Sequence, residues 1–236
     1  MLPESEIREK LCQLGADFVH FVDISGLPEE QNKGFSRAIL LGIALSPEYL
    51  RQIASTPNYI KDMIRNGQTD QDEFHLKEAR ADQLADFIAA YLNDQGYPSY
   101  SQSENNLYTT GNYDPKTKTS VLPHKTIGAM AGLGWIGKHS LLVTDEFACA
   151  FCMCSVLTNV PLQTIQNNEM KPKCGSCEIC RAVCPEDALT GTNWSKITPR
   201  DELVDVFSCT LCLKCLAHCP WTQAYVKKSK ALSSFS

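Results

Sequence analysis

Apolar and polar positions alternate along the first two thirds of the chain with two periods. Residues 4–14 carry an amphipathic helical pattern that Gly15 ends. DFVHFVDI at 17–24 reads as a strand, and AILLGIAL at 38–45 as a buried strand. Ser46-Pro47 opens a helix predicted to run to about Met63. A longer helix is predicted from about Asp70 to Leu92, with Leu84, Phe87, Ile88 and Tyr91 at helical spacing and Gly96 closing it. Residues 101–119 are polar, rich in Asn, Thr and Gly, and read as an exposed loop. His124–Leu133 is helical in pattern, and Gly132, Gly134 and Gly137 break it. HSLLVT (139–144) and AFCMCSVLT (150–158) read as adjacent strands joined at Asp145-Glu146. GLGWIG lacks the G-x-G-x-x-G order and ends a helix instead of starting one, so it is no phosphate loop. It reads as a tight turn that lets chain or cofactor approach closely.

A chain of 236 residues holds one sizeable core plus a small appended module. No apolar run reaches eighteen residues, which excludes a membrane-spanning helix. The acidic, polar start MLPESEIREK is no signal peptide, so the expected location is cytoplasmic. Residues 1–170 hold 13 Lys and Arg against 21 Asp and Glu, whereas residues 171–236 hold 9 against 6. That balance leaves no clear nucleic-acid footprint and only a modest basic surface near the C-terminal end.

Twelve cysteines change the picture, because in a chain of this kind they point to metal and not to disulfides. Cys174, Cys177, Cys180 and Cys184 precede Pro185; Cys209, Cys212, Cys215 and Cys219 precede Pro220. Both groups follow C-x2-C-x2-C-x3-C-P, the spacing of bacterial two-cluster ferredoxins. Two-residue gaps let three thiolates converge on one [4Fe–4S] cubane, and the fourth cysteine reaches the other cluster. One cluster is therefore assigned to Cys174, Cys177, Cys180 and Cys219, and the other to Cys209, Cys212, Cys215 and Cys184. Zinc also takes C-x2-C pairs, but it gains nothing from two matching quartets that each end in Cys-Pro. Between the quartets the sequence predicts a short strand pair and then a helix from about Pro199 to Phe207; periodicity fades after Val226.

FACAFCMC adds three thiols at 149, 152 and 154. On a strand Cys152 and Cys154 share a face and Cys149 points the other way, which disfavours joint ligation of one metal. Buried small hydrophobes, a redox or cofactor-facing pair, and a third metal site remain the alternatives. His20 and His75 are expected to be structural, whereas His218 either tunes a cluster or faces solvent.

AGLGWIGKHSLLVTDEF, SVLTNVPL, CGSCEICRAVCP, CLAHCPW and the helix FHLKEARADQLADFI together resemble the epoxyqueuosine reductase-like iron–sulfur family over roughly residues 5–225. The resemblance implies a nitroreductase-like α/β (α+β) N-terminal domain at 1–168, a two-cluster ferredoxin module at 169–225 and a flexible tail at 226–236. It implies a base-off cobalamin that takes electrons from the nearer cluster and reduces an epoxide on tRNA; reductive dehalogenases share that arrangement. Three departures stand out. Lys118 occupies the place of the family's proton-donating Asp, His124-Lys125 replaces a Glu-Arg pair, and the chain ends soon after the second quartet. These departures, and the Pro123-His124-Lys125 helix start, place it nearest a short double-cluster subgroup.

By the resemblance, His124, Lys125 and Lys118 are the catalytic candidates. Gly134, Trp135, Ile136, Gly137, Lys138, His139, Cys152 and Cys154 are the cofactor-binding candidates. The expected function is an oxidoreductase passing single electrons through two [4Fe–4S] clusters to a corrinoid or a substrate. A ferredoxin- or flavodoxin-type protein would donate electrons. The alternatives are an electron carrier that reduces a partner corrinoid protein, and a tRNA-acting epoxyqueuosine reductase, which Lys118 and the short C-terminus disfavour.

Overall fold

The computed structural model describes residues 4–164 and 170–233, the last four by backbone alone. In chain order the elements are α1 (Glu4–Gln13), β1 (Phe18–Asp23), α2 (Glu29–Asn32), β2 (Arg37–Ala44), α3 (Pro47–Ser55), α4 (Tyr59–Arg65) and α5 (Glu73–Asp94). There follow β3 (Ser99–Ser101), α6 (Glu104–Thr109), β4 (Tyr113–Asp114), β5 (Thr119–Ser120), α7 (His124–Met130), β6 (Gly134–Ile136), β7 (Leu142–Thr144) and β8 (Phe151–Thr158). The cysteine-rich end adds α8 (Ile179–Ala182), α9 (Lys214–His218) and α10 (Pro220–Ser233). The result is a mixed α/β chain.

Several expectations need correction. The helix predicted to reach Met63 breaks into α3 and α4 at Thr56-Pro57, because Pro57 has no N–H to donate back along the helix. The expected loop at 101–119 folds into α6 and a small hairpin, β4 with β5. GLGWIG is not one tight turn: Gly132 alone has positive φ, and Gly134 lies in β6, paired with Thr144 of β7. A Cβ on Gly134 would overlap the Val143 carbonyl, so glycine is required by close strand approach. The helix predicted at Pro199–Phe207 shrinks to a 3-10 turn at Arg200–Glu202, and the predicted strand pair to a single bridge, Leu189 with Val204. The segment from 226, expected to be a flexible tail, continues α10 to Ser233; residues 234–236 lie outside the described ones.

Two compact units are present, and they are not consecutive blocks of sequence. The expected boundary at 168/169 itself falls outside the described residues. The first unit comprises Met1–Ile43, Leu76–Gly132 and Cys152–Asn168. Its sheet has the order β1-β2-β8-β3, with β1 antiparallel to β2 and β3 antiparallel to β8. Ile7 and Leu11 of α1 and Leu84, Ile88 and Leu92 of α5 pack on Ile39, Leu41 and Val156 of that sheet. This is the two-layer solution in which each element buries one apolar face.

The second unit comprises Ala44–His75, Leu133–Phe151 and Glu169–Ser236. The cysteine-rich end therefore recruits α3, α4, β6 and β7 into its own fold. Polar anchors explain why. Lys214 Nζ, inside the second quartet, donates to the carbonyls of Ile53 at 2.6 Å and Thr56 at 2.7 Å, at the end of α3. Lys61 pairs with Glu186 at 2.6 Å, and the Tyr225 hydroxyl donates to the Leu45 carbonyl at 3.1 Å.

Within this unit Asp72, fully buried, caps the start of α5. It accepts from the Tyr49 hydroxyl at 2.9 Å, the Phe74 amide at 3.0 Å and His75 Nδ1 at 3.1 Å. Asp72→Ala leaves the buried Tyr49 hydroxyl and the first amides of α5 without an acceptor. The expected cost is about 3 kcal/mol, measured as a lowered urea midpoint at unchanged slope.

Candidate metal centre

Each quartet is built by a loop that turns back on itself and then enters a short helix. Gly175 takes a left-handed conformation, the Cys177 amide donates to the Cys174 carbonyl at 3.0 Å, and Cys180 sits on α8. In the second quartet Leu211 and Leu213 adopt left-handed backbone angles around Cys212, and Cys215 sits on α9. Branched residues pay for that conformation, so its use on both sides of one cysteine marks a loop wound for its thiol. Cys219 follows α9 and immediately precedes Pro220, the first residue of α10.

A cavity of about 240 Å³ is lined by Cys174, Cys177, Cys180 and Cys219, together with Lys138, His139, Lys173, Pro220 and Trp221. Three thiols of one quartet thus meet the fourth cysteine of the other. Around Leu189, Leu203 and Val204, with which Cys180 is also buried, pack Cys184, Cys209 and Cys215. Burial first, then neighbouring thiols, pushes Cys180 up to about 11; the same causes, with Cys212 and Cys209 the nearest charges, push Cys215 up to about 12. So many thiols cannot ionise side by side unless a cation compensates them.

The donor set fits the cubane that the spacing implies: four soft thiolates per site, in a cavity with an apolar wall. Trp135, fully buried, has an indole N–H with no hydrogen-bond partner among the described residues, and its ring meets Trp221 of the cavity wall edge-on at 4.8 Å. Lys173 lies 4.8 Å from the Trp135 ring and pairs with Asp145 at 2.9 Å. Lys138, 4% exposed, donates to Glu178 Oε1 at 2.6 Å.

Behind Cys219 lies a second sulfur. Cys149 Sγ, Cys219 Sγ and a ring nitrogen of His139 lie within 4.8 Å of one another, all buried. The Leu141 amide donates to His139 Nδ1 at 3.2 Å, which leaves the proton of the neutral ring on Nε2. Nε2 is 3.6 Å from Cys149 Sγ, and Cys149 Sγ is 3.2 Å from Thr222 Oγ1. Gly137 allows this placement, since a Cβ there would lie 2.7 Å from His139 Cε1. The hydrogen bond to Cys219, and then burial, hold the Cys149 thiol protonated. Cys219 is shifted the other way, above all by Cys149, with His139 and the Thr222 amide adding to it against the opposing effect of burial.

The other sequence candidates distribute as follows. Lys138 and His139 line the cavity, and Gly137 supports His139. Trp135 and Ile136 are buried on β6 beside Gly134. Cys154 lies in the core of the first unit, its thiol pushed up by burial and by neighbouring Asp82, and Cys152 is buried on the same strand. His124, Lys125 and Lys118 belong to the first unit, whereas all eight quartet cysteines belong to the second. Lys118 is exposed between β4 and β5, and Lys125 is half-buried on α7. His124 opens α7. Its Nδ1 lies 2.8 Å from Ser155 Oγ, Ser155 Oγ donates to Gln102 Oε1 at 3.4 Å, and Gln102 Nε2 donates to the Leu122 carbonyl at 2.7 Å. With the serine proton used on Gln102, His124 Nδ1 is the donor and Nε2 keeps its lone pair. Burial lowers the His124 pKa to about 4.

Sequence reasoning did not single out Glu178, Lys173, Thr222 or Trp221, and left Cys149 without a role. Cys149 sits in the turn before β8 and not on the strand, so alternation carried no signal for it. The signal for Trp221 was its place after Cys-Pro.

No family model matches the chain. Part of it is 30% identical to epoxyqueuosine reductase of Yersinia pestis over 88 residues, 37% of this chain and 21% of that protein. A longer stretch, 153 residues, is 26% identical to epoxyqueuosine reductase of Lactococcus garvieae (strain Lg2), covering 65% of this chain and 38% of that protein. The matched stretches thus span well under half of those relatives' length. In fold, the chain is similar to epoxyqueuosine reductase from Streptococcus thermophilus, with TM-score 0.53, 14% identity and coverage of 94% of this chain and 67% of that one. An epoxyqueuosine reductase in complex with an epoxyqueuosine-modified tRNA-Tyr stem loop gives TM-score 0.54, 15% identity and coverage of 94% and 66%. A reductive dehalogenase whose structure suggests a mechanism for B12-dependent dehalogenation gives 0.61, 18% identity and coverage of 92% and 31%. Over part of its length the chain is thus similar in sequence to epoxyqueuosine reductases, and its fold is similar to theirs and to that of a reductive dehalogenase.

Proposed function

We propose that the chain is an iron–sulfur oxidoreductase that carries single electrons through two [4Fe–4S] clusters to a corrinoid or a substrate. The observation that carries this reading is the cavity shared by Cys174, Cys177, Cys180 and Cys219, which crosses the quartets as a two-cluster ferredoxin module requires. When bound, the clusters supply one-electron chemistry. The chain supplies the thiolates, the ion pair of buried Lys138 with exposed Glu178, and an aromatic wall of Trp135 and Trp221. A ferredoxin- or flavodoxin-type protein is the proposed donor. The B12-dependent dehalogenase of like fold supports a corrinoid as acceptor, and His124 contributes a neutral imidazole with an unprotonated Nε2. A second reading, reduction of an epoxide on tRNA, is supported by the tRNA-bound epoxyqueuosine reductase of like fold. The third reading is a carrier that reduces a partner corrinoid protein.

Anaerobic reconstitution with iron and sulfide is expected to yield eight irons per chain, and no more than four would overturn the two-cluster reading. Added cob(II)alamin is expected to show a base-off shift in its visible spectrum. Without that shift the bound-corrinoid reading fails.

A further inference from the structure

We propose that Cys149 donates a hydrogen bond to the ligand sulfur of Cys219, and that this donor raises the reduction potential of the Cys219 cluster above that of the Cys184 cluster. The inference rests on the two-cluster reading and adds to it a direction for the electron.

The argument is an inventory of protons. Once Cys219 is a metal-bound thiolate, it only accepts. Two donors lie beside its sulfur, the Cys149 thiol and a ring nitrogen of His139, all within 4.8 Å of one another. The His139 donor is fixed, because the Leu141 amide occupies Nδ1 and leaves the proton on Nε2. Cys149 has three acceptors around it: Thr222 Oγ1 at 3.2 Å, the Leu216 carbonyl at 3.8 Å and the Cys219 sulfur within 4.8 Å. A bond to an ionised acceptor is about twice as strong as a neutral one, so the thiol proton goes to Cys219. Thr222 O–H then donates to Cys149, which completes a relay of Thr222, Cys149 and Cys219. Cys149 is 3% exposed, so little water competes for that proton.

The equivalent ligand of the other cluster has different surroundings. Cys184 is only partly buried, and its sulfur receives the Ala188 amide at 3.3 Å. Reduction adds negative charge to a cluster, and hydrogen bonds to its sulfurs stabilise that charge. Of these two ligands the Cys219 sulfur has the richer donor set, which makes its cluster the acceptor of the pair.

The test is an anaerobic redox titration of the reconstituted full-length chain by electron paramagnetic resonance, comparing wild type with Cys149→Ala and Cys149→Ser. Cys149→Ala is expected to weaken reduction of one cluster about tenfold, a fall of about 59 mV for one electron, and to leave the other cluster unmoved. Cys149→Ser keeps a donor and is expected to retain part of the difference. In deuterated buffer, pulsed resonance of the reduced wild type is expected to show an exchangeable-proton coupling that Cys149→Ala lacks. Unchanged potentials, or equal shifts in both clusters, would overturn the proposal. So would loss of four irons in Cys149→Ala alone, because Cys149 would then be needed to hold the cluster and not to tune it. Fewer than eight irons in the wild type would instead sink the two-cluster reading beneath it.

Discussion

Anaerobic chelation of the iron is expected to unfold residues 170–219 while leaving the core of the first unit protected. Across that stretch the regular structure amounts to α8, α9, one 3-10 turn and the Leu189–Val204 bridge. Its buried apolar side chains are Cys180, Ala188, Leu189, Leu203, Val204, Leu213, Leu216, Ala217 and Cys219, few of them large, and other large apolar residues lie in water, with Ile197 91% and Leu211 70% exposed. Ordering a residue's backbone costs about 1–2 kcal/mol, and so small a core cannot offset that over fifty positions. The eight metal–thiolate bonds of the two proposed clusters would, since metal binding of this kind is folding free energy. The first unit has what this segment lacks: two long helices packed on a four-stranded sheet, with eighteen buried residues in one cluster. Hydrogen exchange read peptide by peptide should show amides of 170–219 exchanging fully after chelation, with β1, β2 and α5 still protected. Retained protection in 170–219 would mean that the thiols do not hold the segment together through metal.

How much of this was legible in the sequence depended on whether a feature is local. The quartets were legible because ligand spacing is a property of a short loop, and the crossing of the fourth cysteine follows from that spacing. α1, β1, β2 and α5 were legible because each buries one face at its own period. The division into units was not. It depends on Lys214 reaching the carbonyls at the end of α3, about 160 positions away, a contact with no periodic signature. Gly134 misled for a related reason: a glycine needed for close strand approach looks, in sequence, like one needed for a turn. Cys149 shows the limit of facing rules. Cys149 lies in the turn before β8, where strand alternation does not apply, and only tertiary contact reveals that its thiol meets the sulfur of Cys219.

The first unit is expected to lose stability as pH falls from about 6.5 to about 4, and His124 to carry a large part of that loss. In the unfolded chain its imidazole takes a proton near 6.5; in the fold, burial delays protonation to about 4. The unfolded state therefore binds the extra proton throughout that window. By linkage the His124 contribution is complete above 6.5 and disappears on descent through the window. A shift of this size corresponds to up to about 3 kcal/mol, of which about 2 kcal/mol should be lost between pH 7 and pH 4.5. His20, lowered to about 4 by burial and then by Arg8, acts in the same direction over the same window. His124→Gln keeps a donor for Ser155 but cannot titrate. Comparing urea unfolding of the two proteins, followed by exchange of β1 and α5 amides, isolates the first unit from acid damage at the cluster thiols. The stability difference between pH 7 and pH 4.5 should shrink by about 2 kcal/mol in the variant. An identical pH dependence in both proteins would mean that His124 is hydrated in the fold and that its ring is not held neutral by Ser155 and the surrounding strand.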